Sequence, residues 1–401
     1  MAPVPNDAST AAPISQLVTV PSHDKSYPPY LSFKCAVTDS KGPRRTMEDA
    51  HSIVVPFAGI HGQGFFAIFD GHAGKQAAEW CGQNFSLVRA IGVLCLLDAL
   101  RRHPEASIPD ILNQTFHEVD SRLSRMAEES DGKMHSGCTA VTAFLRLEDA
   151  DGKQTFLPPD FDPFQANVEM IEADVEDSDS NNNNGTIPEP PHEKKKKSSR
   201  SKIRDALRHI GGSSSKNESS SSISTTSSPD REKEEREKDQ FFTPSGEVPL
   251  RRVLYCANAG DARGVLCRAG KAVRLTYDHK GSDKQEAKRI MDAGGFVMSG
   301  RVNGVLAVTR SLGDSSMKEF VVGAPYTTET ELSEEDEFLI LACDGLWDVV
   351  DDQGAVSLVR GIADPKRAAE ELLEYAYRKY STDNVTVLVV RFRNPPESLQ
   401  K

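Results

Sequence analysis

Apolar and polar positions along the chain fall into two periodic blocks separated by a long stretch with no period at all. In the first block LSFKCAVT (31–38) and SIVVPF (52–57) read as strands, and GFFAIF (64–69), apolar on both faces, reads as a central one. HAGKQAAEWCGQNF (72–85) has helix-forming composition. From Leu87 to Met126, Leu, Ile and Phe recur at spacings of three and four among charged residues, which predicts helices with a break near Pro104 to Pro109. TAVTAFLRL (139–147) returns to strand. In the second block, strands are predicted at 251–260 (RRVLYCANAG), 262–270 (ARGVLCRAG), 337–343 (EFLILAC) and 384–392 (NVTVLVVRF). Helices are predicted at Asp283 to Ala293, closed by Gly294-Gly295, and at Pro365 to Tyr380, with the proline in the first turn.

Between the blocks, from Glu148 to about Val248, an acidic patch, a lysine run (194–197), a serine-rich tract and DREKEEREKD follow one another with few aliphatic residues. Such composition buries too little apolar area to offset the entropy of ordering, so a mostly disordered insertion at about 148–249 is expected. Residues 1–30, rich in Pro, Ser and Ala, read as a loose arm, and 393–401 as a tail. The simplest organisation is one domain over 31–392, interrupted by this surface insertion, whose closure entropy grows only logarithmically with length.

Composition narrows the function. Lys+Arg 48 against Asp+Glu 60 leaves a net charge of −12, which argues against a nucleic-acid partner. The longest nearly unbroken apolar stretch, Ile91 to Leu97, is far short of the roughly 20 residues that cross a bilayer, so no membrane partner is expected. Cysteines 35, 81, 95, 138, 256, 267 and 343 are odd in number and widely spaced, and the N-terminus has no signal-peptide pattern. Free thiols in a reducing compartment, cytoplasm or nucleus, are expected.

The informative chemistry is a set of carboxylates at strand ends. Asp70 follows GFFAIF, Asp261 follows Gly260, Asp344 follows EFLILAC, Asp383 precedes the last strand, and Glu48 with Asp49 stands just before SIVVPF. Carboxylates gathered at the ends of apolar strands repel one another unless a cation neutralises them, and Mg²⁺ or Mn²⁺, taking oxygen ligands, is the natural choice. Glycines after Asp70 and Asp344 let the backbone come close. His72 is placed to act as an acid, Arg44 and Arg45 offer forks for a phosphoryl or carboxylate group, and Arg301 lies in a glycine-bearing loop where it can face a ligand. Zinc motifs, a Walker loop and a dinucleotide fingerprint are absent from the sequence. Cys95 and Arg101 have the spacing of a cysteine-dependent phosphatase, but the residues between them read as helix, which makes Cys95 a core residue.

Seven motifs now stand in order: RRTMEDAH (44–51), FDGHAG (69–74), SGCTAV (136–141), NAGDARG (258–264), RVNGVLAVTRSLGD (301–314), LACDGLWDV (341–349) and TDNV (382–385). This series resembles the metal-dependent protein serine/threonine phosphatases of type 2C, and most of all the small fungal enzymes that switch off stress-activated MAP kinase cascades. The resemblance implies an α+β fold, a four-layer α-β-β-α sandwich of two antiparallel sheets flanked by helices, with a binuclear metal centre at one edge. It implies two Mg²⁺ or Mn²⁺ ions per subunit held by Glu48, Asp49, Asp70, the carbonyl of Gly71, Asp344 and Asp383, with Asp70 bridging them. A weaker third ion would sit on Asp261, Asp344 and Asp348. Arg44 matches the phosphate-gripping arginine, Arg301 an arginine beside a flap over about 278–304, and His72 the general acid, in a reaction where a metal-bridging water attacks phosphorus. The implied partners are phosphorylated proteins, protein kinases among them, acted on by a monomer. The alternative reading is a pseudophosphatase that binds kinases without catalysis, although every expected ligand is present.

Overall fold

The computed structural model describes residues 14–19, 31–86, 96–130, 133–163, 241–245 and 249–399. The run that is apolar on both faces becomes β4 (Gly64–His72), with Phe65, Ala67 and Phe69 on one side and Phe66 and Ile68 on the other. A strand that must bury both faces needs a layer on each, and this dictates the architecture.

One antiparallel sheet has the order β12 (Tyr326–Glu331), β6 (Arg251–Ala259), β5 (Gly137–Glu148), β4, β3 (Ala50–Val54), with the short β11 (Leu312–Gly313) added to β5. The other has the order β1 (Ile14–Thr19), β2 (Lys34–Ser40), β14 (Val385–Arg391), β13 (Asp336–Ala342), β7 (Arg263–Arg268), β8 (Lys271–Arg274), again antiparallel. Between the sheets lie Phe33, Phe66, Ile68, Val141, Leu339 and Leu388, all buried. Helices α1 (Gln76–Asn84), α2 (Leu96–Arg102) and α3 (Ile108–Glu129) contribute to the core on the outer face of the first sheet. The short α5 (Asp344–Trp347) with α6 (Asp352–Val359) and α7 (Pro365–Arg378) does the same on the second. The expected α+β four-layer sandwich is what forms.

Local sequence accounts for the helices. Ser107 caps α3, its Oγ accepting from Asp110 N, and Ile108, Ile111, Leu112, Phe116, Val119 and Leu123 give it one apolar stripe. Asp364 caps α7, Pro365 opens it, and Ala368, Ala369, Leu372, Leu373 and Ala376 face the second sheet. α2 falls on the residues between Cys95 and Arg101, as expected, whereas Cys95 itself lies outside the described residues. The other six cysteines are buried, with no disulfide among the described residues. Between β8 and β11 an excursion carries α4 (Lys284–Asp292) and a hairpin of β9 (Val297–Met298) with β10 (Arg301–Val302). An isolated bridge between Lys280 and Val308 closes its root.

Two boundaries differ from the sequence reading. Residues 14–19 of the expected arm form β1, because β2 would otherwise leave its edge hydrogen-bonding groups unpaired and ISQLVT has β-branched residues to pair there. The insertion is also narrower than 148–249. Glu148 is the buried end of β5, and Phe156, Leu157 and Phe161 pack against the first core together with Phe242 and Leu250 from the far side of the gap. Phe242 exchanges backbone hydrogen bonds with Gly59 and His61. Aromatic residues set among Asp and Pro gave no period to read, yet they fold back as part of the domain. Residues 164–240 lie outside the described ones. No described helix is long and apolar enough to cross a membrane.

Candidate metal centre

Strand ends from both sheets meet at one edge of the sandwich. Asp70 on β4, Asp261 between β6 and β7, and Asp344 at the start of α5 place one carboxylate oxygen each within 4.8 Å of one another. Close approach depends on the glycines. A Cβ at Gly71 would lie 2.1 Å from Glu48 O, and one at Gly345 2.0 Å from Asn384 O. These contacts draw the 44–49 loop and the Asp383 turn onto the cluster.

The electrostatics are those of a cation site. Burial and then the charges of Asp344, Asp49, Asp261 and Asp383 hold Asp70 well above the usual carboxylate range. Burial and then the charges of Asp261, Asp348 and Asp383 push Asp344 up to about 8. Asp49 rises to about 6 chiefly through burial, against hydrogen bonds from Thr386, Cys343 and Asp70. Asp261 is 4% exposed, and its Oδ1 is buried with no hydrogen-bond partner. An all-oxygen donor set, mutual repulsion and an orphaned buried oxygen fit a hard divalent cation.

The expected residues are brought together unevenly. Asp261, matched to the weaker third site, joins Asp70 and Asp344 in the central cluster. Asp348 is instead tied to Asp261 by Lys280, whose Nζ lies 3.3 Å from Asp261 Oδ2 and 3.2 Å from Asp348 Oδ1. Asp49 Oδ2 accepts from Thr386 Oγ1 at 2.7 Å. Glu48 accepts from Thr46 Oγ1 and from Gly74 N, both at 3.1 Å. Asp383 Oδ2 receives Arg44 Nη2 at 2.6 Å, so the candidate phosphate-gripping guanidinium stands on a candidate metal ligand. Arg44 also donates Nε to Thr382 O at 3.2 Å. Arg45 is exposed. Arg301 is exposed on β10, and its Nη1 donates to Val305 O within its own turn, not to a carboxylate of the cluster. His72, the residue after Gly71, puts Nε2 2.7 Å from Asp314 Oδ2.

Sequence reasoning passed over four residues here. Asn384 accepts from Glu48 N at 2.8 Å and donates to Lys41 O and Thr46 O, both at 3.0 Å, so it clamps the loop that presents Glu48 and Asp49. Thr386 anchors Asp49, Lys280 neutralises the outer carboxylates, and Asp314 holds His72. Asn384 and Asp314 stand inside quoted motifs, TDNV and RSLGD, which was the available signal; a lysine in a loop gives none.

Comparison with known proteins agrees with this geometry. The family model described as Protein phosphatase 2C matches residues 33–150 and 242–385. Protein phosphatase 2C homolog 1 of Saccharomyces cerevisiae is 37% identical over 367 residues, 90% of this chain and 95% of that protein. Protein phosphatase 2C homolog 1 of Schizosaccharomyces pombe is 36% identical over 354 residues, 88% of this chain and 71% of that protein. Among solved structures, a phosphatase from a pathogenic strain of Toxoplasma gondii superposes with a TM-score of 0.56 at 21% identity, covering 96% of this chain and 98% of that one, which bears on the fold.

Proposed function

The chain belongs to the protein phosphatase 2C family, and from that premise we propose that it hydrolyses phosphoserine and phosphothreonine in proteins with the help of two Mg²⁺ or Mn²⁺ ions. The observation that carries the reading is the cluster of Asp70, Asp261 and Asp344 with Asp49 alongside, all with raised pKa values, beside an exposed arginine and a histidine. Glu48, Asp49, Asp70, the Gly71 carbonyl, Asp344 and Asp383 would hold the ions, with Asp261 and Asp348 the outer donors for a weaker third. When bound, the ions supply Lewis acidity and an activated water at neutral pH.

The chain's own groups do the rest. Arg44 presents a planar guanidinium, anchored at Thr382 O, to the equatorial oxygens of a phosphoryl group, where the negative charge of the transition state resides. His72 gives a proton to the departing serine or threonine oxygen as the phosphorus–oxygen bond breaks, so an alcohol leaves and inorganic phosphate forms. The described cysteines are buried, and burial raises Cys35 and Cys256 to about 12 and Cys343 well beyond its usual value, which suits none of them to nucleophilic attack. The resemblance to small fungal enzymes extends the proposal to kinases of stress-activated cascades as substrates, in the cytoplasm or nucleus.

Phosphate release from a phosphothreonine peptide at neutral pH, with millimolar Mn²⁺ and again with excess chelator, tests the reading. Metal-dependent release is expected. None with Mn²⁺ would leave the binding-only pseudophosphatase in its place.

A further inference from the structure

We propose that Asp314 is a positioning residue for His72, fixing its ring so that Nε2–H is spent on Asp314 and Nδ1 is the nitrogen that delivers the proton. The inference rests on the proton-donor reading of His72 and extends it to a residue from a different part of the fold.

The placement follows from strand register. Gly137 on β5 is paired with His72 on β4 and, on the other side, with Gly313 on β11. Asp314, next after Gly313, therefore stands across β5 from His72, with only Gly137 between. The gap exists because Gly137 has no side chain: a Cβ there would lie 2.2 Å from Asp314 Oδ2. Through it Asp314 Oδ2 reaches His72 Nε2 at 2.7 Å, and Ser311 Oγ donates to the same oxygen. Asp314 is 7% exposed, so this pair is poorly screened by water.

The backbone is shaped to hold the carboxylate there. Asp314 adopts a left-handed conformation at φ 47°, which Asp tolerates better than most residues but which still needs support. The support comes from α3. Asp120 Oδ1 accepts from Gly313 N at 2.9 Å and from Lys318 Nζ at 2.7 Å, while Lys318 Nζ also donates to Ser311 O at 2.9 Å. The 311–318 segment is thus pinned on both sides of Asp314, an expensive arrangement for a residue that merely turns the chain.

An ionised carboxylate only accepts, so the nitrogen facing it must carry hydrogen. Nδ1 is then the nitrogen left to hand a proton to the leaving oxygen. After transfer the ring is the neutral Nε2–H tautomer, still bonded to Asp314, and it regains its proton from water. Removing the carboxylate frees the ring to rotate and to take the other tautomer, so the damage falls on proton delivery and not on binding.

The test compares Asp314→Asn, His72→Ala and the double variant in the full chain with Mn²⁺, on a phosphothreonine peptide and on p-nitrophenyl phosphate, whose leaving group needs little protonation. Asn is isosteric and accepts the left-handed backbone, which favours folding, and Ser311→Ala serves as a milder second variant. Asp314→Asn is expected to lower kcat on the peptide at least about tenfold with KM and calorimetric Mn²⁺ binding unchanged, to affect p-nitrophenyl phosphate less than about threefold, and to add nothing in the His72→Ala background. Ser311→Ala should lose in the same direction by less. In the Mg²⁺-loaded protein, ¹⁵N spectra should show neutral His72 as the Nε2–H tautomer, and Asp314→Asn should abolish that preference. A selective peptide loss in His72→Ala without one in Asp314→Asn or Ser311→Ala, losses that add in the double variant, or an Nδ1–H tautomer in the wild type would overturn the role of Asp314 alone. Equal losses of His72→Ala on both substrates would overturn the proton-donor reading, and the role of Asp314 with it.

Discussion

Lys280 Nζ lies 3.3 Å from Asp261 Oδ2, at the root of the excursion that carries α4 and the β9–β10 hairpin. The same ammonium reaches Asp348, so the chain neutralises its outer carboxylate pair with a side chain of its own. Burial works against this charge, but Asp261 and Asp348 outweigh burial and hold the Lys280 pKa above its ordinary value. An ion entering there must displace the ammonium. If Asp261 and Asp348 hold the weaker third ion proposed above, Lys280→Met should strengthen Mn²⁺ binding there by about tenfold or more, seen in calorimetric titration as a tighter final binding event. An isotherm identical to the wild type would show that lysine and metal do not compete.

Raised carboxyl pKa values give the metal-free protein an unusual pH dependence. A folded carboxyl that holds its proton above the unfolded value binds more protons than the unfolded chain, so stability is present at low pH and is lost as pH rises through the window between the two values. For Asp344 that window runs from 3.8 to about 8, and for Asp49 from 3.8 to about 6, with Asp70 and Asp261 shifted in the same direction. With chelator present, the thermal midpoint should be higher at pH 5.5 than at pH 8, and Mn²⁺ should raise the pH 8 value most. Asp70→Asn should raise the metal-free midpoint at pH 8 while cutting phosphatase activity by roughly a thousandfold, the scale of lost preorganised electrostatics. A metal-free midpoint that climbs between pH 5.5 and 8 would contradict the account.

Two glycines separate metal geometry from backbone strain. Gly71→Ala must push against Glu48 O, 2.1 Å from the new Cβ, and displace the loop that presents Glu48 and Asp49. A loss of about 2 kcal/mol in stability is expected, with Mn²⁺ affinity falling as well. Gly300→Ala meets nothing within 4 Å, and its only handicap is φ 76°. Roughly 1 kcal/mol should be lost there, with Mn²⁺ binding intact. Denaturant unfolding and calorimetry on both variants read the two effects apart.

What the sequence made legible follows from where the information lies. Asp70 and Asp344 each end an apolar run and precede a glycine, so strand, edge and close approach are all written locally; the run that becomes β4 reads as a central strand, whereas the four layers come from the family resemblance. Lys280, Asp314 and Asn384 act across 68, 242 and 336 positions of chain on Asp348, His72 and Glu48, and that pairing exists only once the strands are in register. Phe156, Phe161 and Phe242 were hidden for another reason. They are isolated aromatic positions, Phe241–Phe242 a lone pair, in stretches whose Asp, Pro and Ser content speaks for disorder, and their packing on the first core and on one another across the gap is nothing that a local period reveals.

The same residues set the limits of what can be removed from the middle of the chain. The rings of Phe156 and Phe161 lie tilted against that of Phe242 with centroids 6.0 and 5.7 Å away, joining the two sides of the gap. Glu148, 1% exposed, accepts from Tyr255 OH at 2.9 Å and pairs with Arg146 and Arg251. Joining Glu148 directly to Pro249 through a short turn deletes all three aromatic residues, uncovers the first core and leaves the buried Glu148 network open to water. Joining Pro163 to Phe241 through a short Gly/Ser linker keeps every one of these contacts. The shorter deletion should retain Mn²⁺-dependent turnover of a phosphothreonine peptide within about twofold, because surface insertions are tolerated when no buried group leaves with them. The longer deletion should lose several kcal/mol through exposed aromatic area and fall in activity with it. Melting curves and peptide turnover on the two deletions decide the matter. Equal behaviour of both would mean that the packed margins contribute nothing, and collapse of the shorter one would place part of 164–240 within the working domain.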